Sequence, residues 1–289
     1  MSADRGAVLI TGCSSGIGRE TARHLVRRGW TVYATARRPD SIADLEADGC
    51  RLLQLDVTDE ASMEAAVASV EEAEGAVGAL VNNAGYSQSG ALETLPMERL
   101  RAQFETNVFG LVRMCQLVLP KMRAAGRGRI VNVGSMGGKL TFPGGGAYHA
   151  TKYSVEAISD ALRWEVAGFG VQVVLIEPGL ITTNFGEVAA GSIAEAAAAE
   201  PSKSDDPYAS FNAEVSAATA GVYEGPMARL GGGPETVART IERAISSRRP
   251  RSRYKVTASA RLAIGQRRLL PDRAWDAMLR TQFQRPGDN

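Results

Sequence analysis

Six short apolar runs, rich in β-branched residues, punctuate the chain between positions 7 and 179: "AVLIT" at 7–11, "TVYAT" at 31–35, "RLLQLDV" at 51–57, "ALVNNAG" at 79–85, "RIVNVGS" at 129–135 and "VQVVLIEPG" at 171–179. Continuous apolar runs, rather than alternating ones, read as strands covered on both faces. The intervening segments 18–28, 62–74, 97–122 and 148–167 have helical patterns and are long enough for the crossovers that parallel strands require. The chain therefore reads as α/β, three layers deep, with a doubly wound parallel sheet. Its 289 residues, 44% of them hydrophobic, fit one large core. Within that single domain, the regular strand–helix alternation fills residues 1–185. Residues 186–230 are Ala-rich, punctuated by Pro201, Pro207 and Pro226, and read as an inserted helical lid or a mobile loop. Residues 231–289 form a C-terminal extension.

Charge and cysteine usage narrow the partners. A net charge of +1 gives no chain-wide basic field, so nucleic acid is not expected. Cys13, Cys50 and Cys115, with His24 and His149, match neither a disulfide framework nor a metal site. A small-molecule substrate remains. The start "MSADRGAVLITG" runs directly into a strand pattern, and no apolar run of roughly 18 residues follows, so a soluble cytoplasmic protein is expected. Residues 248–273 hold nine Lys or Arg against one acid, Asp272, and precede Trp275, Met278, Leu279 and Phe283 at helical spacing. That tail resembles an amphipathic helix that binds membrane surfaces; the favoured expectation is that its apolar stripe packs back on the domain near the pocket.

Two local patterns carry chemistry. The first strand ends in "TGCSSGIGRE", where Gly12, Gly16 and Gly18 lie between strand and helix. Such a turn lets backbone approach a pyrophosphate, which the helix N-terminus favours. In "AYHATK", Tyr148 and Lys152 are four residues apart and share one face if helical. A phenol titrates near pH 10, and a cation beside it favours the phenolate, so the pair can act as a proton shuttle near neutrality. His149 and Cys13, beside these residues, read as space-filling.

With these come an Asp after the third strand (Asp56), "NNAG" at 82–85, Ser135 thirteen residues before Tyr148, and Pro178–Gly179 after the sixth strand. In this order, over residues 6–185, the motifs resemble the short-chain dehydrogenase/reductase family, and the finer features "ATARRPD", "LDVTDE" and "IEPGLITTNF" resemble its 17β-hydroxysteroid and retinol dehydrogenase branch. The resemblance implies a Rossmann-like fold and hydride transfer between a nicotinamide and a carbonyl or alcohol. It makes Tyr148 the general acid or base, Lys152 its electrostatic partner and a ribose ligand, and Ser135 the group holding the substrate oxygen. Asn107 would bend its helix and hold a water linking Lys152 to solvent. Gly12, Ser14, Ser15, Gly16, Ile17 and Gly18 would cradle the phosphates. Asp56 and Val57 would flank the adenine; Asn82, Asn83, Ala84 and Gly85 would support the central strand and approach the ribose. Pro178, Gly179, Leu180, Ile181 and Thr182 or Thr183 would line the nicotinamide. Phe185, Tyr208, Phe211 and Tyr223 suggest an apolar pocket. An epimerase or dehydratase using bound nicotinamide, and a catalytically silent NADP sensor, are the alternative classes. The family's habit also implies a homodimer or homotetramer through helices 97–122 and 148–167.

Cofactor choice is expected to follow from the end of the second strand, where NAD enzymes place an acid. Here Ala36 is followed by Arg37 and Arg38. A guanidinium suits a 2′-phosphate, so NADP(H) is expected over NAD(H), with Arg37 the main determinant and Ser14 adding a hydroxyl.

Overall fold

A computed structural model describes residues 6–199, 206–221 and 226–287. In chain order these form β1 (Ala7–Ile10), α1 (Gly16–Arg27), β2 (Val32–Ala36), a short α2 (Asp44–Ala47), β3 (Arg51–Gln54), α3 (Glu60–Glu74), β4 (Val77–Asn82), α4 (Met97–Phe104), α5 (Gly110–Ala124), β5 (Gly128–Val133), α6 (Gly146–Val166) and β6 (Val171–Pro178). The chain continues through α7 (Phe185–Ala199), α8 (Ala209–Gly221), α9 (Pro234–Ser246), β7 (Arg253–Val256), α10 (Ala258–Leu269) and α11 (Asp272–Arg280). All pairings are parallel, in the order β3-β2-β1-β4-β5-β6-β7. The six strands and their crossovers stand where the apolar runs place them. The seventh strand was not expected.

Two apolar layers flank the sheet because successive strand residues point to opposite faces. Val8, Ile10, Ala34, Val131 and Ile176 meet Leu25 of α1 and Val237 and Ile241 of α9. Leu9, Leu80, Ile130 and Leu175 face Met63 and Val67 of α3, Met114 and Val118 of α5, and Val155 of α6. Burying both faces explains why β1 and most of β6 have almost no polar residues. The order reverses between β1 and β4, and the carboxyl ends of these strands open on the crevice where ligands of such sheets bind.

The apolar stripe of the tail packs back on the domain, and two of its arginines are paired while most of the others are exposed. Arg253 of β7 pairs with Asp160 and with Glu156, Nε 3.2 Å from the Glu156 carboxylate. Arg267 binds Asp272 at 2.6 Å. Trp275 is buried in a third cluster with Leu140 and Ile264, joined by Phe142, Met278 and Leu279. Residues 185–221 carry helices α7 and α8, with no strand among the described residues of 186–230; Pro201 and Tyr223 lie outside the described residues. No described helix is long and apolar enough to cross a membrane.

Candidate active site

The glycine turn is held open from below. Gly12 and Gly16 have φ of +73° and +56°, and a methyl group at Gly18 would lie 2.3 Å from the carbonyl oxygen of Gly12. Glycine is thus required for the turn and for the close approach of α1. Asn83 locks the turn, its side-chain amide donating to the carbonyls of Thr11 and Gly12, both at 2.9 Å. The Thr11 hydroxyl accepts from the N–H groups of Asn83 and Ala84, both at 3.0 Å, which ties β1 to β4. Ser15, the N-cap of α1, makes no capping bond to the helix, and the first turn carries no acid. Exposed Ser14 and Ser15, with Gly16 and half-buried Ile17, leave a helix N-terminus suited to phosphate. Thr183 stands over it, its methyl 3.3 Å from where a Cβ on Gly16 would lie.

Around that turn, Ala36 ends β2 and is buried, while Arg37 and Arg38 are exposed. Arg19 went unnoticed in the sequence: its guanidinium donates to the carbonyls of Ser14 (3.2 Å) and Ser41 (3.3 Å) and pairs with Asp44. It therefore ties the glycine turn to the segment after Arg38. Asp56 spends Oδ1 on the N–H and hydroxyl of Thr58, at 2.9 and 2.8 Å, and Val57 is buried beside it. Asn82 is a core group, donating to Asn132 at 3.0 Å.

The second half of the site lies at the end of β5. Ser135 opens a short 3₁₀ turn, Met136–Gly138, and its Oγ accepts the Gly137 N–H at 3.0 Å. Tyr148 and Lys152 share a face of α6, with the ammonium 5.7 Å from the centre of the phenol ring. Lys152 is buried and donates to the carbonyl of Val133 at 2.9 Å. Burial pushes its pKa down to about 8, so the ammonium stays mostly protonated at neutral pH. The ring of Phe185, at the start of α7, lies 5.5 Å from that of Tyr148.

Between α4 and α5 a π turn, Glu105–Phe109, carries the buried Asn107. The helix is thus interrupted where a bend was expected. The Asn107 side chain is fully committed: Oδ1 accepts the Tyr86 N–H (3.1 Å), and Nδ2 donates to the Tyr86 carbonyl (2.9 Å) and the Thr151 hydroxyl (3.1 Å). It clamps the strand end carrying Ala84 and Gly85 to α6, one residue before Lys152, and leaves no side-chain donor for a water.

Residues 178–181 are backed by the C-terminal extension. Gly179 donates to Val256 (3.1 Å) and Leu180 to the Ser259 hydroxyl (3.0 Å), while Ile181 bridges to Gly232. Thr257, at φ +83°, is the only non-glycine described residue with a positive φ. Such a conformation costs a β-branched residue on the order of 1–3 kcal/mol.

A profile of the short chain dehydrogenase family matches residues 6–191. The chain belongs to this family. Over 274 residues, 94% of this dehydrogenase and 93% of its relative, it is 36% identical to the uncharacterized oxidoreductase YbbO of Escherichia coli K12. It is 43% identical to the 3-ketodihydrosphingosine reductase of Bacteroides thetaiotaomicron over 178 residues, 62% of this chain and 65% of that one. A short-chain dehydrogenase structure from Streptomyces avermitilis superposes with a TM-score of 0.76 at 34% identity, covering 96% of each chain. A serine dehydrogenase complexed with NADP+ superposes with a TM-score of 0.72 at 28% identity, covering 87% of this chain and 94% of that one. The short-chain dehydrogenase described here is an NAD(P)-dependent oxidoreductase acting on CH–OH groups.

Proposed function

We propose that this enzyme interconverts a ketone and an alcohol on an apolar substrate with NADP(H), Tyr148 acting as general acid in reduction and general base in oxidation. The reading rests on one observation: Tyr148 and Lys152 share a face of α6 beside the turn that carries Ser135, at the carboxyl end of the sheet where the glycine turn opens. The nicotinamide, when bound, delivers or accepts hydride. Gly12, Ser14, Ser15, Gly16, Ile17 and Gly18 hold the phosphates, and Asp56, Val57, Asn83, Ala84 and Gly85 bound the adenosine side. Pro178, Gly179, Ile181 and Thr183 line the nicotinamide side. Ser135 Oγ donates to the substrate oxygen and holds it near the phenol. Tyr148 moves the proton at that oxygen, and the ammonium of Lys152 favours the phenolate left behind. Asn107 supports this arrangement through Thr151, and both of its amide protons are already used within the fold.

NADP(H) is favoured because Arg37 and Arg38 follow buried Ala36, with no carboxylate at that strand end. An apolar substrate is favoured by Phe185 beside Tyr148 and by the likeness to a 3-ketodihydrosphingosine reductase. Residues 186–230 serve as the lid. A homodimer or homotetramer is supported by exposed Met97, Phe109, Tyr153 and Trp164, all on the helices around α4, α5 and α6. Steady-state oxidation of NADPH with ethyl acetoacetate and 2-decanone tests the activity. Tyr148→Phe should lower kcat by orders of magnitude and leave NADPH affinity, read by fluorescence titration, near wild type; a variant retaining most of its kcat would exclude Tyr148 as the proton donor.

A further inference from the structure

His149 follows Tyr148 directly, and the two rings meet edge-on with centroids 5.7 Å apart. The imidazole is only 8% exposed. Its Nδ1 lies 2.9 Å from the carbonyl oxygen of Gly137, and its Nε2 lies 3.2 Å from the main-chain nitrogen of Phe142. A main-chain N–H can only donate, so Nε2 accepts from Phe142, and Nδ1 carries the ring proton and donates it to Gly137. The two contacts therefore select one neutral tautomer. Burial also holds the pKa of this imidazole below its usual value, in keeping with an uncharged ring.

The slot around the ring is made by glycines. A Cβ on Gly137 would lie 2.7 Å from Nδ1, and one on Gly145 would lie 2.7 Å from Nε2. The ring holds two separate segments, the turn after Ser135 and the segment at Phe142. The Gly137 N–H is the group that donates to Ser135 Oγ. Phe142 packs against Trp275, with ring centroids 6.2 Å apart, and the two line a cleft of about 500 Å³ with Leu92, Tyr208, Phe211 and Leu279. The sequence made His149 a space-filler; in the fold it bridges the turn after Ser135 and the segment at Phe142.

We propose that His149 is a positioning residue: through Gly137 it sets the place of the Ser135 hydroxyl, and through Phe142 it sets one wall of the cleft, by two separable hydrogen bonds. This rests on the reading of Ser135 and Tyr148 as the reacting pair. Asn in place of His149 puts an amide donor near the Nδ1 position and offers nothing to Phe142. Gln puts an acceptor near the Nε2 position and loses the bond to Gly137.

The test has two arms. The chain has two histidines, so ¹⁵N-labelled histidine gives assignable ring signals in the whole protein. At pH 7 one ring should be protonated at Nδ1 and bare at Nε2; if neither is, the proposal is overturned. In steady-state reduction of 2-decanone by NADPH, His149→Gln should lower kcat about threefold to tenfold with little change in KM. His149→Asn should raise KM by a similar factor with kcat nearly kept. Two variants with the same profile, or both like wild type, would overturn the positioning role. Ser135→Ala separates the two levels: if it keeps turnover, the catalytic reading itself fails. If it is inactive while both His149 variants match wild type, only the positioning role fails.

Discussion

Replacing Glu177 by Gln should stabilise this dehydrogenase at high pH and leave it nearly unchanged at low pH. Glu177 lies on β6, one residue before the strand ends, with no solvent exposure, and neither carboxylate oxygen has a hydrogen-bond partner. The cation beside it, Arg253, has its Nε 3.7 Å away and is engaged by Glu156 and Asp160. Burial, and then the adjoining carboxyl of Glu156, raise the Glu177 pKa to about 7. An unfolded glutamate titrates near pH 4.3. Between these values the folded chain keeps a proton that the unfolded chain has released, so stability falls as pH rises through the window and levels off above about pH 7. A gap of about 2.7 pH units at 1.36 kcal/mol each corresponds to about 3–4 kcal/mol. Gln keeps the shape and cannot ionise, so it carries no buried charge at any pH. Urea unfolding at pH 5 and pH 8, at one protein concentration, should place the variant within about 1 kcal/mol of wild type at pH 5 and about 2–3 kcal/mol above it at pH 8. The same difference at both pH values, or a less stable variant at pH 8, would refute the reasoning.

Lys152→Met should abolish turnover yet stabilise the fold at pH 7, because a buried ammonium pushed down to about 8 weakens folding by about 3 kcal/mol below that pH, of which the lost bond to Val133 returns about 1. Thermal unfolding against pH reads this, and the gain should shrink as pH climbs from 8 towards 10. Arg37→Ala should weaken NADPH binding by about 1–3 kcal/mol with little effect on NADH, and Ala36→Asp should favour NADH, both read by cofactor titration. Trp275→Ala should cost about 3–5 kcal/mol, measured by urea unfolding, by emptying the cluster with Leu140 and Ile264. Trp164, 87% exposed on α6, should shift the oligomer towards monomer when changed to Glu, as light scattering would detect.

The parts of this fold that were legible in the sequence are those whose cause is local. β1 and β6 are apolar because both faces are covered, and their runs announce them. β7 was illegible because it is a four-residue edge strand, "RYKV", with three residues only half-buried. Its Arg253 answers Glu156 and Asp160 on a distant helix, a pairing that a count of basic residues along the tail does not reveal. The motif residues of the site are likewise visible as a pattern. His149 and Arg19 are not, because what they do depends on main-chain carbonyls brought close only by the tertiary fold. The break at Asn107 was expected by resemblance, but the saturation of its amide by Tyr86 and Thr151 could come only from geometry.

The late position of β7 has a consequence for synthesis. A chain leaving the ribosome completes β6 roughly 80 residues before it completes β7, an interval of about 4 to 16 s at ordinary elongation rates. Throughout it β6, "VQVVLIEP", is an open sheet edge, apolar and without a charge before Glu177, the kind of edge that recruits other strands. Gly179 and Leu180 also lack Val256 and Ser259, which hold them in place. The nascent dehydrogenase can form its glycine turn and its Tyr–Lys helix early, yet only the late arrival of β7 covers the apolar edge of β6 with a short basic strand and fixes residues 179–180 in place.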